Sequence, residues 1–560
     1  MTHDLIIKNG TVLDGSGAEA FQADVAVDNG RISRIGKTEG ARAARTIDAM
    51  DKIVTPGFVD LHTHLDAQVG WEPELTPSSY HGVTTVLTGN CGVSFAPVGK
   101  KNQRFLAEIM EAVEDISAAA IINGLPWNWT SYGEYLDTVE SLNPTLNFCG
   151  MAGHSPIRLE VMGDASMDKY AQPTDDQLDQ ICRLVRESVE QGAAGFSSSR
   201  FLMHKVPDGR CTPGTFADLR ETTAIQRAII EGGGEGAIFQ VVPDMQTRFD
   251  IDLEMLRTAG ELGCQVLFTA GGGATTRIPE FVAEQNEKGL RINPACHTRP
   301  SHTFFGLARR APFDTPAWNA LMGLPTLADR VDALGSGDLR DKLVSEGNQY
   351  GFNDGMEAQY FHALGTDAAP NWDMDQQMSL QQIADRANED PIRVYVERIW
   401  QSEGQEFFNY WGLARELEYQ WRFMKQPHCI PAVGDAGAHV GYFTDADSMT
   451  FLLSELTRER EIFSLPEAVH RITGKSAQIL GLKQRGELRE GWYADVNIID
   501  YENLGSQQPY YVNDFPQNVG RVVTNSTGFI ATLVNGEVVI ENGEFTGLRP
   551  GEVIRDFQRG

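Results

Sequence analysis

Pro56-Gly57-Phe58-Val59-Asp60-Leu61-His62-Thr63-His64-Leu65-Asp66 runs from a strand-like apolar stretch into two histidines spaced i, i+2. In an extended strand that spacing points both imidazoles to one face, so a single metal ion can take both. An apolar strand with such a pair at its C-terminal end is how a (β/α)8 barrel presents metal ligands at its catalytic rim. A histidine pair also arises by chance or for structural reasons. Here the Thr55-Pro56-Gly57-Phe58 entry, the strands upstream and a second Asp-bearing strand near residue 435 favour ligation.

Working outward, eight short apolar segments lie between about residues 59 and 480, most of them separated by helix-like stretches. They are Phe58 to His62, Thr84 to Thr88, Leu146 to Ala152, Ala194 to Ser197, Ala237 to Val242, Gln265 to Thr269, Arg291 to Ala295 and Ile430 to Val433. Eight parallel strands with helical crossovers predict an α/β fold, a (β/α)8 TIM-type barrel. The two ends read differently. Short strands punctuated by Asn9-Gly10 and Asn29-Gly30 at the start return as Asn535-Gly536 and Asn542-Gly543 near the finish, a hairpin grammar. The expected division is a small β-sandwich domain built from residues 1–57 and 480–560 around a barrel over 58–479. An inserted region at 301–423 is too long for a loop and is expected to supply helices that wall the rim.

The 560 residues carry 47 Lys and Arg against 77 Asp and Glu, a net charge of −30. That balance disfavours nucleic acid and anionic membrane surfaces as partners. Seven cysteines without CxxC spacing point to a reducing compartment, hence the cytoplasm. No cationic leader and no run of about 20 apolar residues is present, so neither secretion nor membrane spanning is expected.

The opening Asp4-Leu5-Ile6-Ile7-Lys8-Asn9-Gly10-Thr11-Val12-Leu13-Asp14-Gly15, the stretch Thr55 to His64, and Arg485-Gly486-Glu487-Leu488 with Gly491-Trp492-Tyr493-Ala494-Asp495 resemble the amidohydrolase superfamily. Gly82 to Val86, Gly89-Asn90-Cys91-Gly92, Gly153 to Arg158 and Gly192 to Ser197 make the chain similar to its N-acyl-D-amino-acid deacylase (D-aminoacylase) branch. The resemblance implies a metal-dependent barrel with an outboard β-sandwich. Such chemistry needs a Lewis acid, an activated water and a carboxylate that moves protons. His62, His64, Cys91 and Asp435 are the candidate metal ligands. Cys91 occupies the turn where the family's cysteine is a ligand, and a thiolate suits zinc; its plain alternative is a small buried apolar residue. Asp435 ends the eighth segment, where the family keeps its aspartate, and is a candidate ligand or general base; a helix N-cap is the alternative.

Departures from the branch matter for mechanism. Relatives with a full metal centre carry histidines at the ends of strands five and six, whereas this chain has Gln240 and Thr269 there. Both are weak zinc ligands beside imidazole, so one ion per chain, zinc or another divalent metal, is expected. Basic residues that hold the substrate carboxylate in relatives are replaced after strand six by Ala270-Gly271-Gly272-Gly273-Ala274 and after strand eight by Ala438-His439-Val440-Gly441-Tyr442. The Gly271 to Gly273 run could let backbone N–H groups approach a ligand. His154, His204, His297 and His439 follow expected strands three, four, seven and eight, so each can reach the catalytic face. His439 is a candidate catalytic residue; His154, Gln240, His297 and Arg299 are candidate substrate contacts, with His302 beside them.

These residues point to a metal-dependent hydrolase that cleaves a C–N (amide) bond of a small molecule, an N-acyl amino acid or related amide. Metal-activated water attacks, and Asp435 shuttles the proton. Two alternatives stand beside it: a metal-dependent lyase or hydrolase of a non-amide bond, and a metal-free, non-catalytic scaffold of the same fold that acts as a homo-oligomer. Four convergent ligands serve no purpose in a scaffold.

Overall fold

A computed structural model describes residues 2–270, 277–413 and 415–559. Eight parallel strands follow one another in chain order: β1 (Phe58–Asp60), β2 (Val83–Thr88), β3 (Asn147–Gly153), β4 (Gly195–Ser199), β5 (Ile238–Val242), β6 (Gln265–Thr269), β7 (Arg291–Cys296) and β8 (Ile430–Pro431). A parallel bridge between Thr63 and Ala436 joins the last strand to the first and closes the barrel. The fold is the expected (β/α)8 barrel.

Alternation explains why these segments close into a barrel. Val59, Leu87, Met151, Ile238, Leu267 and Ala295 point inward and fill the barrel together with Phe557 from the C-terminal strap. Their neighbours Phe58, Val86, Phe148, Phe196, Phe239, Val266 and Phe268 point outward into the layer covered by the helices. Period-two side chains that are apolar on both faces need cover on both faces, which a closed barrel within a ring of helices provides.

Two strands are shorter than the sequence implies. β1 ends at Asp60 rather than His62, because Asp60 Oδ1 accepts the His62 N–H at 3.1 Å and turns the chain. β8 ends at Pro431, since the N–H groups of Ala432 and Val433 both turn to Cys296 O.

Residues from both ends form one nine-stranded sheet, with strands between Thr2 and Pro56 and between Val496 and Phe545. Ile53–Pro56 pairs with Val496–Ile499 at its centre, so the start and finish of the chain are locked together. The 301–423 region contains helices, as expected, but also a three-stranded antiparallel sheet of Ser301–Phe305, Phe408–Leu413 and Phe361–Ala363. Trp318, Phe361, Tyr395 and Phe408 give it a core of its own. No helix among the described residues is long and apolar enough to cross a membrane.

Candidate metal centre

Past the Asp60 turn, Thr63 N–H donates to Leu87 O (3.1 Å) and His64 N–H to Ala436 O (2.7 Å). The two imidazoles come together with ring centroids 5.7 Å apart. A turn bolted to its neighbouring strands, rather than strand alternation, brings them to one place.

Cys91 follows β2 in a turn that glycine makes possible. Gly89, Cys91 and Gly92 have φ of 74°, 57° and 74°. A Cβ on Gly89 would stand 2.3 Å from Met151 O, and one on Gly92 2.8 Å from Ser199 N. Left-handed backbone at Cys91 is strained and persists because its surroundings hold it. Asn90 Nδ2 donates to Thr63 O (3.2 Å) and Leu87 O (3.0 Å), and Cys91 N–H to Gln240 Oε1 (3.2 Å). Gln240 thus braces the turn that carries the thiol. Asp435 and His439, after β8, are also left-handed, at 43° and 50°.

These turns converge. His62 Nε2 lies 3.3 Å from Cys91 Sγ and 3.1 Å from Asp435 Oδ1, and His64 Nε2 lies 3.8 Å from the same oxygen. One donor atom each of His62, His64 and Cys91 falls within 4.8 Å of the others, and all three residues are buried. A tetrahedral ion with bonds of about 2.0–2.3 Å holds its ligand atoms roughly 3.3–3.6 Å apart. The distances of 3.3, 3.1 and 3.8 Å lie within a few tenths of an ångström of that range. Among the described residues, His62 Nδ1, both nitrogens of His64 and Asp435 Oδ1 have no hydrogen-bond partner. Buried polar atoms without partners are costly, and a cation among them removes the cost.

Burial pushes His64 well below its ordinary range, leaving the neutral imidazole that ligates metals, and pushes the Cys91 thiol well above its own. Burial also works upward on Asp435, but the charge of His62 beside it outweighs burial and holds the carboxyl well below its ordinary range. Asp60, under the His62 turn, is raised by burial to about 7.

The remaining candidates divide by their partners. His297 is close enough for its charge to act on Asp435 and His439, and its Nδ1 has no partner among the described residues. Gln240 Nε2 and Thr269 Oγ1 are buried and unpartnered. His204, whose Nδ1 meets Ser199 Oγ at 2.8 Å, lies within electrostatic reach of Asp435, His439 and His62. His154 uses both ring nitrogens elsewhere, on Ser198 Oγ (2.9 Å) and Glu221 Oε1 (3.0 Å). Arg299 is taken up by Asp445 and Asp447 and lies 4.0 Å over the Trp372 ring. His302 packs against Phe304 and Phe443. The Gly271 to Gly273 run lies outside the described residues.

One residue was missed from sequence. Glu114, the last residue of the helix Gln103–Glu114, is buried with Oε1 3.6 Å from His64 Nε2 and Oε2 3.4 Å from His439 Nε2. A signal existed: Leu106, Met110 and Glu114 lie on one i, i+4 row, so the carboxylate continues an apolar stripe.

The amidohydrolase family profile matches residues 45–297 and 352–540. The chain belongs to the amidohydrolase family. Within it, D-aminoacylase of Alcaligenes xylosoxydans xylosoxydans is 32% identical over 98% of this chain and 97% of its own length. N-acyl-D-aspartate deacylase of the same organism is 26% identical over 98% and 95%. These relatives put this amidohydrolase on the N-acyl-D-amino-acid deacylase branch. Among solved structures, an N-acyl-D-glutamate deacylase from Bordetella bronchiseptica, complexed with zinc and a phosphonate inhibitor, superposes with a TM-score of 0.66 at 22% identity, covering 99% of this chain and 100% of that one. That likeness establishes the shared fold. The two stretches matched by the family profile leave out 298–351, which contains the first three helices of the rim region.

Proposed function

We propose that this amidohydrolase releases amino acids from N-acyl amino acids at a centre of one zinc ion per chain held by His62, His64, Cys91 and Asp435. The observation that carries the reading is the approach of His62 Nε2 to both Cys91 Sγ (3.3 Å) and Asp435 Oδ1 (3.1 Å), with His64 buried and unpartnered beside them. Bound there, zinc lowers the pKa of a coordinated water to about 7 and polarises a carbonyl oxygen.

The chain's own groups do the rest. Asp435, kept ionised by His62, accepts the proton of the attacking water and passes it to the departing amide nitrogen. His439, beside Asp435 at the mouth, orients the acyl carbonyl. Gln240 and His297 offer unpartnered nitrogens to the substrate. His154 and Arg299, committed to Glu221 and to Asp445 and Asp447, shape the walls rather than touch substrate. A single ion follows from the strand-five and strand-six positions: Gln240 spends its amide oxygen on the Cys91 N–H, and Thr269 offers only a hydroxyl.

The D hand of the substrate is carried over from the relatives' names. Seven free cysteines support a reducing compartment, the cytoplasm, as its location. The test is a panel of N-acetyl amino acids of both hands, read by release of free amine. Hydrolysis of D substrates that stops on chelation and returns with zinc is the expected result; zinc-loaded protein that releases no amine from any member defeats the proposal.

A further inference from the structure

Glu114 has no part in the donor set proposed above, yet its surroundings give a carboxylate there little reason to exist. It is 1% exposed and sits at the C-terminal, negative end of a 12-residue helix. Desolvation and the helix dipole both oppose negative charge at that place. Among the described residues its ion-pair neighbours are His64 and His439 alone, with no Lys or Arg. Glu114 Oε1 and His64 Nε2 stand 3.6 Å apart, and neither has a hydrogen-bond partner among the described residues. Two buried donor atoms that close together, neither with a partner, suit a common cation, which removes the cost of burying both.

The main chain fixes this arrangement. Glu114 O accepts the His439 N–H, and Asp115, left-handed at φ 54°, accepts the Gly441 N–H on Oδ2 at 2.9 Å. The helix end is therefore tied at two points to the turn after β8, the turn that also presents Asp435.

We propose that Glu114 is a protein ligand to the metal on the His64 side, a carboxylate donor that Gln240 and Thr269 do not replace. The inference rests on the metal-centre reading above. It makes the site richer in oxygen donors than two histidines, one cysteine and one aspartate.

The test compares wild-type protein with Glu114→Gln, which keeps the shape and removes the charge, and with Glu114→Asp, which keeps the charge but draws it back by one methylene. Zinc affinity is measured by competition with a chromogenic chelator, and the cobalt-substituted proteins are compared by visible absorption; thermal melting confirms that each variant folds. Both variants should bind zinc ~10-fold or more weakly, and Glu114→Gln should change the intensity of the cobalt bands, which follows the ligand set. Folded Glu114→Gln with wild-type zinc affinity and an unchanged cobalt spectrum overturns the inference and leaves Glu114 as a support for His439. Wild-type protein that takes up no metal removes the metal centre itself, a different failure that the wild-type titration reveals before either variant is compared.

Discussion

Asp435 is largely buried, yet His62 at 3.1 Å helps to hold its carboxyl well below the ordinary carboxylate range. If it shuttles the proton, Asp435→Asn keeps the volume and loses the base, and kcat should fall by ~10²-fold or more. Wild-type turnover across neutral pH in that variant would assign the base elsewhere. Cys91 makes a second, independent prediction. Burial holds the free thiol protonated well above its ordinary range, so metal binding must expel that proton. Apparent zinc affinity should rise with pH through the neutral range, by about tenfold per pH unit for one proton released. The sign follows from the raised thiol: lower pH refills the proton and competes with the ion. Cys91→Ser should weaken binding while leaving the fold intact; a serine variant that binds zinc as tightly as wild type returns Cys91 to the role of a buried apolar residue.

Among the elements, the turn after β2 is left-handed at three of its four residues, Gly89, Cys91 and Gly92. Gly92→Ala would place a Cβ 2.8 Å from Ser199 N at a φ of 74°, against backbone that cannot move cheaply. A loss of stability of about 1–3 kcal/mol is expected from the strain, with weakened zinc binding because the neighbouring thiol shifts. Thermal melting and chelator competition check both effects, and an alanine variant identical to wild type in each would show that the turn is not held as described. The barrel strands were legible in sequence because their residues are apolar on both faces over short, evenly spaced runs. His62, His64, Cys91 and Asp435 were legible because each follows directly on a strand. The reason His62 and His64 meet was not: strand alternation was expected, but Asp60 stops β1 two residues early and a turn does the positioning. Glu114 was invisible for another reason. It reaches the site from the far end of a helix, a long-range placement that no local spacing encodes. Arg299 and His154 read as site residues because they follow strands; the carboxylates that occupy them come from Asp445, Asp447 and Glu221, 67 to 148 residues away in the chain.

On the scale of the whole molecule, the barrel and the rim unit have separate cores, and their stabilities should separate too. Trp318 is fully buried in the rim core, stacked on Phe313 at 4.7 Å, with Nε1 donating to Leu343 O at 3.2 Å. Trp318→Ala should cost about 3–5 kcal/mol and loosen residues of the rim, seen as faster hydrogen exchange there, while zinc affinity stays within about twofold. Loss of metal binding in that variant would show that the rim holds the centre together. The barrel in turn is held shut by Thr63 against Ala436 and strapped below by the C-terminal segment, whose Glu552 O accepts the Phe148 N–H at 2.8 Å. His62, His64, Cys91 and Asp435 thus all follow strands of one closed ring, the kind of support a preorganised hydrolytic centre needs. The most direct test is elemental analysis of the purified chain, paired with amine release from N-acyl amino acids before and after chelation. About one zinc per chain, with activity that leaves and returns with the ion, is the expected result; a metal-free chain that hydrolyses these amides at the full rate would contradict the account.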